Sequence, residues 1–412
     1  MSPVPRTDSP LSVRFLDLTY DPLNSEKSAL TLLYTLLPEW RHSEGKIELV
    51  RFTDGITNTL LKAEKRRPGS TQEEVDEEAV LLRAYGEGTD VLIDREREIR
   101  AHSLLASKGL APPLFARFNN GLLYKFIAGD VCSAQDLRKR DVYCAVAEKL
   151  GQWHGSLPIA AISDINDIQS PGVNGHVNGG EAKSTVPFPN LWSVLQSWID
   201  ALPAQSDTQR QRIKTLQTEF DLLKSRLIRT RGLYGKDYIF SHCDLLCGNV
   251  IVDRSHATNG HTSGSSLPKI DFIDYEYATP APAAFDIANH FAEWGGLDCD
   301  YTAMPTTSQR REFIQHYVHT YRQHASPDSP DSSMPKAVDH LLDQVDLYRG
   351  VPGFYWGVWA LIQAQISQID FDYPSYAEVR LGEYYAWKAE TDGSRAKAGK
   401  DMPLREKMWA SD

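Results

Sequence analysis

The sequence predicts an α+β fold in two lobes, a small β-rich N-terminal lobe followed by a larger, mainly helical C-terminal lobe. Three observations carry that expectation. Between residues 46 and 126 apolar and polar residues alternate, the period of half-buried strands. After Gly129 the period lengthens to that of amphipathic helices, with aromatic residues dense from 308 to 390. A chain of 412 residues is long enough for two domains with a sizeable core.

The elements follow in order. Residues 1–25 read as a loosely attached arm. Leu30, Leu32, Leu33 and Leu36 give helical spacing from Ser28 towards Trp40, with Pro38 closing it. Lys46 to Phe52 alternates, Asp54-Gly55-Ile56-Thr57-Asn58 makes a polar turn, and Thr59 to Ala63 continues, which is a β-hairpin pattern. Residues 64–78 are charged and contain Pro68-Gly69, and read as a solvated loop. Ala79 to Tyr85 is a buried strand carrying one cation, Arg83. Asp94 to Ser107 is a charged helix, and Leu114 to Phe126 is a second hairpin turning at Asn119-Asn120-Gly121. The lobes divide at 26–128 and 129–412. In the second, Asp141 to His154 and Arg210 to Arg229 read as helices, and residues 168–188, rich in Gly, Asn, Ser and Pro, as a disordered insert. Gly248–Asp253 and Lys269–Asp274 are apolar strands around a flexible tip at 254–268, so they form a hairpin.

Composition narrows the function. Hydrophobic content of 41% with 24% charged residues is that of a soluble globular protein. A net charge of −11 without basic runs argues against nucleic acid as a partner. Five scattered cysteines, an odd number in a long chain, do not make a disulfide framework, and Cys243 and Cys247 lack the second ligand pair of a zinc site. The N-terminus has no cationic start followed by an apolar core, and no apolar run reaches the length of a membrane span. The expectation is a cytoplasmic protein without stable membrane insertion, monomer or homodimer, acting on a small molecule.

The chemistry concentrates in His242-Cys243-Asp244-Leu245-Leu246-Cys247-Gly248-Asn249, followed by Asp274 at the end of an apolar strand. The pattern His-x-Asp-x4-Asn with a later strand-end Asp is that of phosphoryl transfer in kinases. One carboxylate, Asp244, orients an incoming hydroxyl and accepts its proton. An amide oxygen, Asn249, and a second carboxylate, Asp274, hold Mg²⁺ against the triphosphate of ATP. The hairpin brings Asn249 and Asp274 to one end despite their separation in sequence. The plainer alternative is a turn-capping Asp and two hairpin-end polar residues. His242 reads as a structural histidine bonded to the loop backbone.

Further candidates follow from the same scheme. Arg83 needs a buried anion, and Glu98 on the next helix is the candidate; the alternative is an edge Arg facing water. Gly55, Thr57 and Asn58 stand on the turn placed to cap phosphate oxygens. Asp286 reads as bonded to the catalytic-loop backbone, with Asn289 three residues along the same helix. Glu293 lies one turn further, towards the acceptor. Trp356 and Trp359 share a helix face, and with Tyr277 and Tyr376 they make an aromatic wall for an ammonium group, or else plain core.

At these residues the chain resembles the choline/ethanolamine kinase family. The resemblance rests on ITN at 56–58, LLRAYG at 81–86, DREREI at 94–99, NNGLLYKFIAG at 119–129, HCDLLCGNVI at 242–251, FIDYEYATPAPAAFDIANHFAEW at 272–294 and WGVWALIQAQISQIDFDYPSYAEVR at 356–380. It implies a protein-kinase-like fold, ATP, Mg²⁺ and transfer of the γ-phosphoryl group to an amino alcohol in the first step of phospholipid headgroup synthesis. It implies Asp244 as base, Asn249 and Asp274 at the metal, Arg83 with Glu98 in the nucleotide lobe, and Tyr277, Glu293, Trp356, Trp359 and Tyr376 around the acceptor. Two departures stand out. Cys243 occupies a position where the family usually has Asn, and Asp54-Gly55 one where it usually has Gly-Gly. The Asp-Leu-Leu-Cys run at 244–247 is similar to ethanolamine kinases, so ethanolamine is the expected acceptor. Choline or dual specificity is the alternative within enzymes. A catalytically silent nucleotide-binding scaffold is the alternative outside them.

Overall fold

The computed structural model describes residues 13–52, 58–86, 88–163, 186–253, 267–328 and 331–412. The chain divides into two compact units. One comprises residues 1–146, 247–276 and 363–373, and the other residues 147–246, 277–362 and 374–412.

The strands, in chain order, are β1 (Phe15–Leu16), β2 (Lys46–Phe52), β3 (Asn58–Arg66), β4 (Val80–Tyr85), β5 (Leu114–Phe118), β6 (Gly121–Lys125), β7 (Asp130–Val131), β8 (Ile239–Ser241), β9 (Val250–Asp253), β10 (Lys269–Phe272) and β11 (Thr279–Ala281). In the first unit, six of them form one sheet in the order β1-β5-β6-β4-β3-β2. All its pairings are antiparallel except β1 with β5. Helix α1 (Ser25–Leu36) lays Ala29, Leu32, Leu33 and Leu36 on the core formed by Leu61, Ala63, Val80, Leu82, Ala116 and Leu123. The i, i+3, i+4, i+7 spacing puts all four on one stripe. A second small sheet, β10-β9-β7, contains the expected hairpin, with Phe272 opposite Val250 and Lys269 opposite Asp253.

Two expectations for this unit need correction. The arm at 1–25 is attached where it is described: β1 pairs with β5, and the Tyr20 N–H donates to Asn120 Oδ1 at 2.9 Å. Residues 64–78 are not a loop. Strand β3 runs on to Arg66, and α2 (Gln72–Glu78) follows. A reciprocal cap starts α2, with the Glu74 N–H donating to Thr71 Oγ1 and the Thr71 N–H to Glu74 Oε2. Lys62 then ties it to β3 through Asp76 at 2.6 Å.

The remaining α-helices among the described residues are α3 (Arg95–Ser107), α4 (Ala134–Leu137), α5 (Arg140–Ser156), α6 (Leu191–Asp200), α7 (Asp207–Leu227), α8 (Ala283–Ala292), α9 (Thr307–Ala325), α10 (Met334–Tyr348), α11 (Val351–Ile366) and α12 (Tyr373–Thr391), with the short Ser394–Lys397 and Leu404–Trp409 near the end. The second unit is mainly helical, with β8 and β11 paired antiparallel. Helix α8 is buried along its whole length. A Cβ at Gly353 or Gly357 would meet the Arg380 carbonyl or the Leu381 side chain, so glycine lets α11 lie directly on α12. Among the described residues, no helix is long and apolar enough to cross a membrane.

Candidate active site

The segment carrying Asp244 leaves β8 and is pinned from one side by α8. Asp286 accepts from the backbone N–H groups of His242 and Cys243, each at 2.8 Å. Asn289 Nδ2 donates to the Cys243 carbonyl at 3.0 Å, and His290 Nδ1 bonds the Leu245 carbonyl at 2.8 Å. Positions 286, 289 and 290 share a helix face, which is why His242, Cys243 and Leu245 on the two sides of Asp244 can be held at once. This scaffold is itself braced, because Asp286 Oδ2 meets His154 Nε2 at 2.9 Å and His154 Nδ1 meets the Tyr317 hydroxyl at 2.8 Å. Burial works to raise the Asp286 pKa. The hydrogen bond and charge of His154, with His242 and its N–H, outweigh it and hold the carboxyl below its ordinary value. Burial lowers His290 to about 4, so its ring is neutral.

Cys243 sits at φ +65°, in the left-handed region. A side chain there costs about 1–2 kcal/mol. The bonds from Asp286 and Asn289 to its N–H and carbonyl, each about 1 kcal/mol, offset that cost. Asn tolerates this conformation better than Cys, so the departure from the family's usual residue falls on a conformationally demanding position. His242 is structural as expected: it is fully buried, and its Nδ1 accepts from the Asp244 N–H at 3.3 Å.

Of the four residues expected in an aromatic wall, Tyr277, Trp356 and Trp359 come together in the same unit. The Trp356 and Trp359 rings lie 5.4 Å apart, nearly perpendicular. Tyr277 stands 5.8 Å from Trp356, and its hydroxyl accepts from Trp359 Nε1 at 2.8 Å. Trp356 Nε1 donates to Asn289 Oδ1 at 2.8 Å. Glu293 and Tyr376 instead meet at Arg380, which sequence reasoning missed. Glu293 Oε1 is 2.8 Å from Arg380 Nη2, and the guanidinium lies 5.8 Å from the Tyr376 ring. Burial raises the Glu293 carboxyl pKa, and the charge of Arg380 opposes it.

In the sheet-bearing unit, Asn249 and Asp274 flank the β9–β10 hairpin at one end. The Ile273 N–H donates to the Asn249 carbonyl at 3.0 Å, so Asp274 is one residue from the contact. Asp274 also has a left-handed φ of +64°. Arg83 is buried and not an edge residue. Its Nη1 donates to Glu98 Oε1 at 3.0 Å, and its Nη2 lies 2.7 Å from Asp274 Oδ1 and contacts Glu276. Arg95 Nη1 joins Glu98 at 3.0 Å and Glu276 at 3.3 Å, with its guanidinium 3.9 Å over Tyr85. Burial raises the carboxyl pKa values of Glu98, Asp274 and Glu276, against the pull of Arg83. No sequence pattern singles out Arg95 or Glu276 for this cluster. Asn58, expected over phosphates, donates to Glu276 Oε2 at 3.2 Å, while Gly55 and Thr57 lie outside the described residues.

The oxygen donors present suit a hard divalent cation. Asn249 brings an amide oxygen and Asp274 a carboxylate. Asp274 Oδ1 is buried and makes no aligned hydrogen bond.

The family model described as choline/ethanolamine kinase matches residues 49–385. The chain belongs to the choline/ethanolamine kinase family. It is 31% identical to ethanolamine kinase 1 of Mus musculus over 388 residues, covering 91% of this chain and 93% of that one. With ethanolamine kinase 2 of Homo sapiens it shares 30% over 384 residues, covering 92% and 85%. Among solved structures, an ethanolamine kinase of Plasmodium vivax matches with a TM-score of 0.63 at 23% identity over 88% of this chain and 89% of that one. A choline kinase of Cryptosporidium parvum matches at 0.60 and 19% over 93% and 99%. At those identities the structures establish the fold alone, the protein-kinase-like α+β fold expected from the sequence.

Proposed function

We propose that this member of the choline/ethanolamine kinase family is an ethanolamine kinase that uses ATP and Mg²⁺. The observation that carries the reading is the aromatic group of Tyr277, Trp356 and Trp359, hydrogen-bonded through Asn289 to the loop that holds Asp244. An ammonium group held at such rings leaves a short alcohol arm to reach the carboxylate. Its relatives include the ethanolamine kinases above, which supports the reading.

In the proposed reaction, Asp244 accepts a hydrogen bond from the ethanolamine hydroxyl and orients it. The hydroxyl oxygen forms a bond to the γ-phosphorus as the bond from that phosphorus to the β–γ bridging oxygen breaks. ADP leaves with that oxygen, and the proton passes late to the Asp244 carboxylate. Asn249 and Asp274 would hold Mg²⁺, which when bound offsets charge on the β- and γ-phosphates. Arg83, steadied by Glu98, supplies a permanent cation to the nucleotide region. We place the product in phosphatidylethanolamine synthesis and the protein in the cytoplasm.

Choline is the second reading, because the same rings hold a quaternary ammonium, which has no N–H to donate. Side-by-side measurement of kcat/KM for the two alcohols tests the assignment. The proposal expects the larger value for ethanolamine, and an equal or larger value for choline overturns it.

A further inference from the structure

We infer that Asn289 is a positioning residue that sets the acceptor wall against the catalytic loop. The inference deepens the proposed reading and rests on it. Asn289 is fully buried and uses both ends of its amide. Its Nδ2 donates to the Cys243 carbonyl at 3.0 Å, one residue before Asp244. Its Oδ1 accepts from the Trp356 indole at 2.8 Å.

The two bonds fix the amide's orientation, since a flipped amide would put a donor against a donor and an acceptor against an acceptor. No other natural side chain of this length offers one donor and one acceptor in that geometry: Asp lacks the donor and Leu lacks both. The consequence is geometric. The wall holds the ammonium end of the acceptor, the loop holds the carboxylate that meets its hydroxyl, and one amide sets their separation. A misplacement of about 1 Å at a reacting centre can cost on the order of a hundredfold in rate. Other bonds act within one side or the other. Asp286 and His290 bond the loop, while Tyr277 bonds Trp359 within the wall.

The same geometry gives Trp356 two separable roles. Its ring faces the acceptor group, and its N–H anchors it to Asn289. Phe keeps a ring and loses the N–H. Were Trp356 only a cation-binding surface, Trp356→Phe would raise the KM for the amino alcohol and spare kcat.

A double-mutant cycle on the full-length protein tests this, using Asn289→Asp, Trp356→Phe and the pair, with kcat and KM measured separately for ethanolamine. The expected result is a fall in kcat of about tenfold for Trp356→Phe and about a hundredfold for Asn289→Asp. The pair should be no worse than Asn289→Asp alone, because the aspartate oxygen still accepts from the Trp356 indole but the link to the loop is already broken. Single effects that multiply in the pair overturn the coupling. Should Asn289→Asp fail to fold, Trp356→Phe decides alone: a rise in KM with kcat unchanged overturns the inference. Wild-type protein that turns over no ethanolamine removes the underlying reading, an outcome distinct from multiplicative effects in an active enzyme.

Discussion

Arg83 Nη2 lies 2.7 Å from Asp274 Oδ1, so the cation of the central strand touches the carboxylate proposed to hold the metal. The same guanidinium also serves Glu98 and Glu276, which makes Arg83 the hub joining β4, α3 and the end of the β9–β10 hairpin.

Removing that hub leaves the buried Glu98 and Glu276 and the partly exposed Asp274 with Arg95 as a remaining cation in this group. Arg83→Met should destabilise the protein by about 3–5 kcal/mol, the usual cost of breaking a buried charge network from one side. Arg83→Lys should fall between Met and wild type, since one ammonium cannot match a forked guanidinium at three partners. Urea unfolding measures both. A loss under about 1 kcal/mol for Arg83→Met would show that the ion group contributes little.

Asp274→Ala should abolish Mg²⁺-dependent turnover. It should also remove the Mg²⁺ dependence of ATP affinity, read by calorimetry with and without the metal. Full activity in that variant, or an unchanged metal dependence, refutes the ligand assignment.

Acid should weaken the helical unit through His290. Its folded pKa of about 4 lies below its ordinary 6.5. The unfolded chain therefore takes up the proton first. The stability this ring contributes is complete above pH 6.5 and lost as the pH falls towards 4. Between pH 7.5 and pH 5 the loss is about 2 kcal/mol by linkage. The carboxyl of Asp286, held below its ordinary range, loses its own contribution at still lower pH. Denaturant midpoints at the two pH values, compared with His290→Gln, check this: the variant should lose that part of the pH dependence, and an unaltered profile contradicts it.

Much of this could be read from the sequence because it is local. The His-x-Asp-x4-Asn run, the hairpin around residues 254–268 and the strand bearing Arg83 are all set by short-range pattern. The partners of Arg83 are less legible. Glu276 is 193 residues away, and nothing in spacing joins them until β4 and the hairpin end are placed. Arg380 sits among aromatic residues of α12 with no periodic cue that it neutralises Glu293. Helix α2 does carry a signal, Thr71 followed three residues later by Glu74 as a capping box, but it stands beside Pro68-Gly69 in a run dense with charge, the pattern of a solvated loop. The wall needed the structure for another reason: helical spacing of Trp356 and Trp359 fits packed core as well as a binding surface, and the Asn289 bond that ties Trp356 to the loop is a long-range contact.

The central claim, that Asp244 serves transfer of the γ-phosphoryl group to an amino alcohol, is tested most directly by following ADP and phosphoethanolamine together. Purified wild type and Asp244→Ala are each supplied with ATP, Mg²⁺ and ethanolamine. The account predicts equal amounts of both products from wild type, and a kcat lowered by about 10²-fold or more in the variant with ATP affinity largely kept. No ethanolamine-dependent ADP from the wild type, or an almost unchanged kcat in the variant, would contradict it.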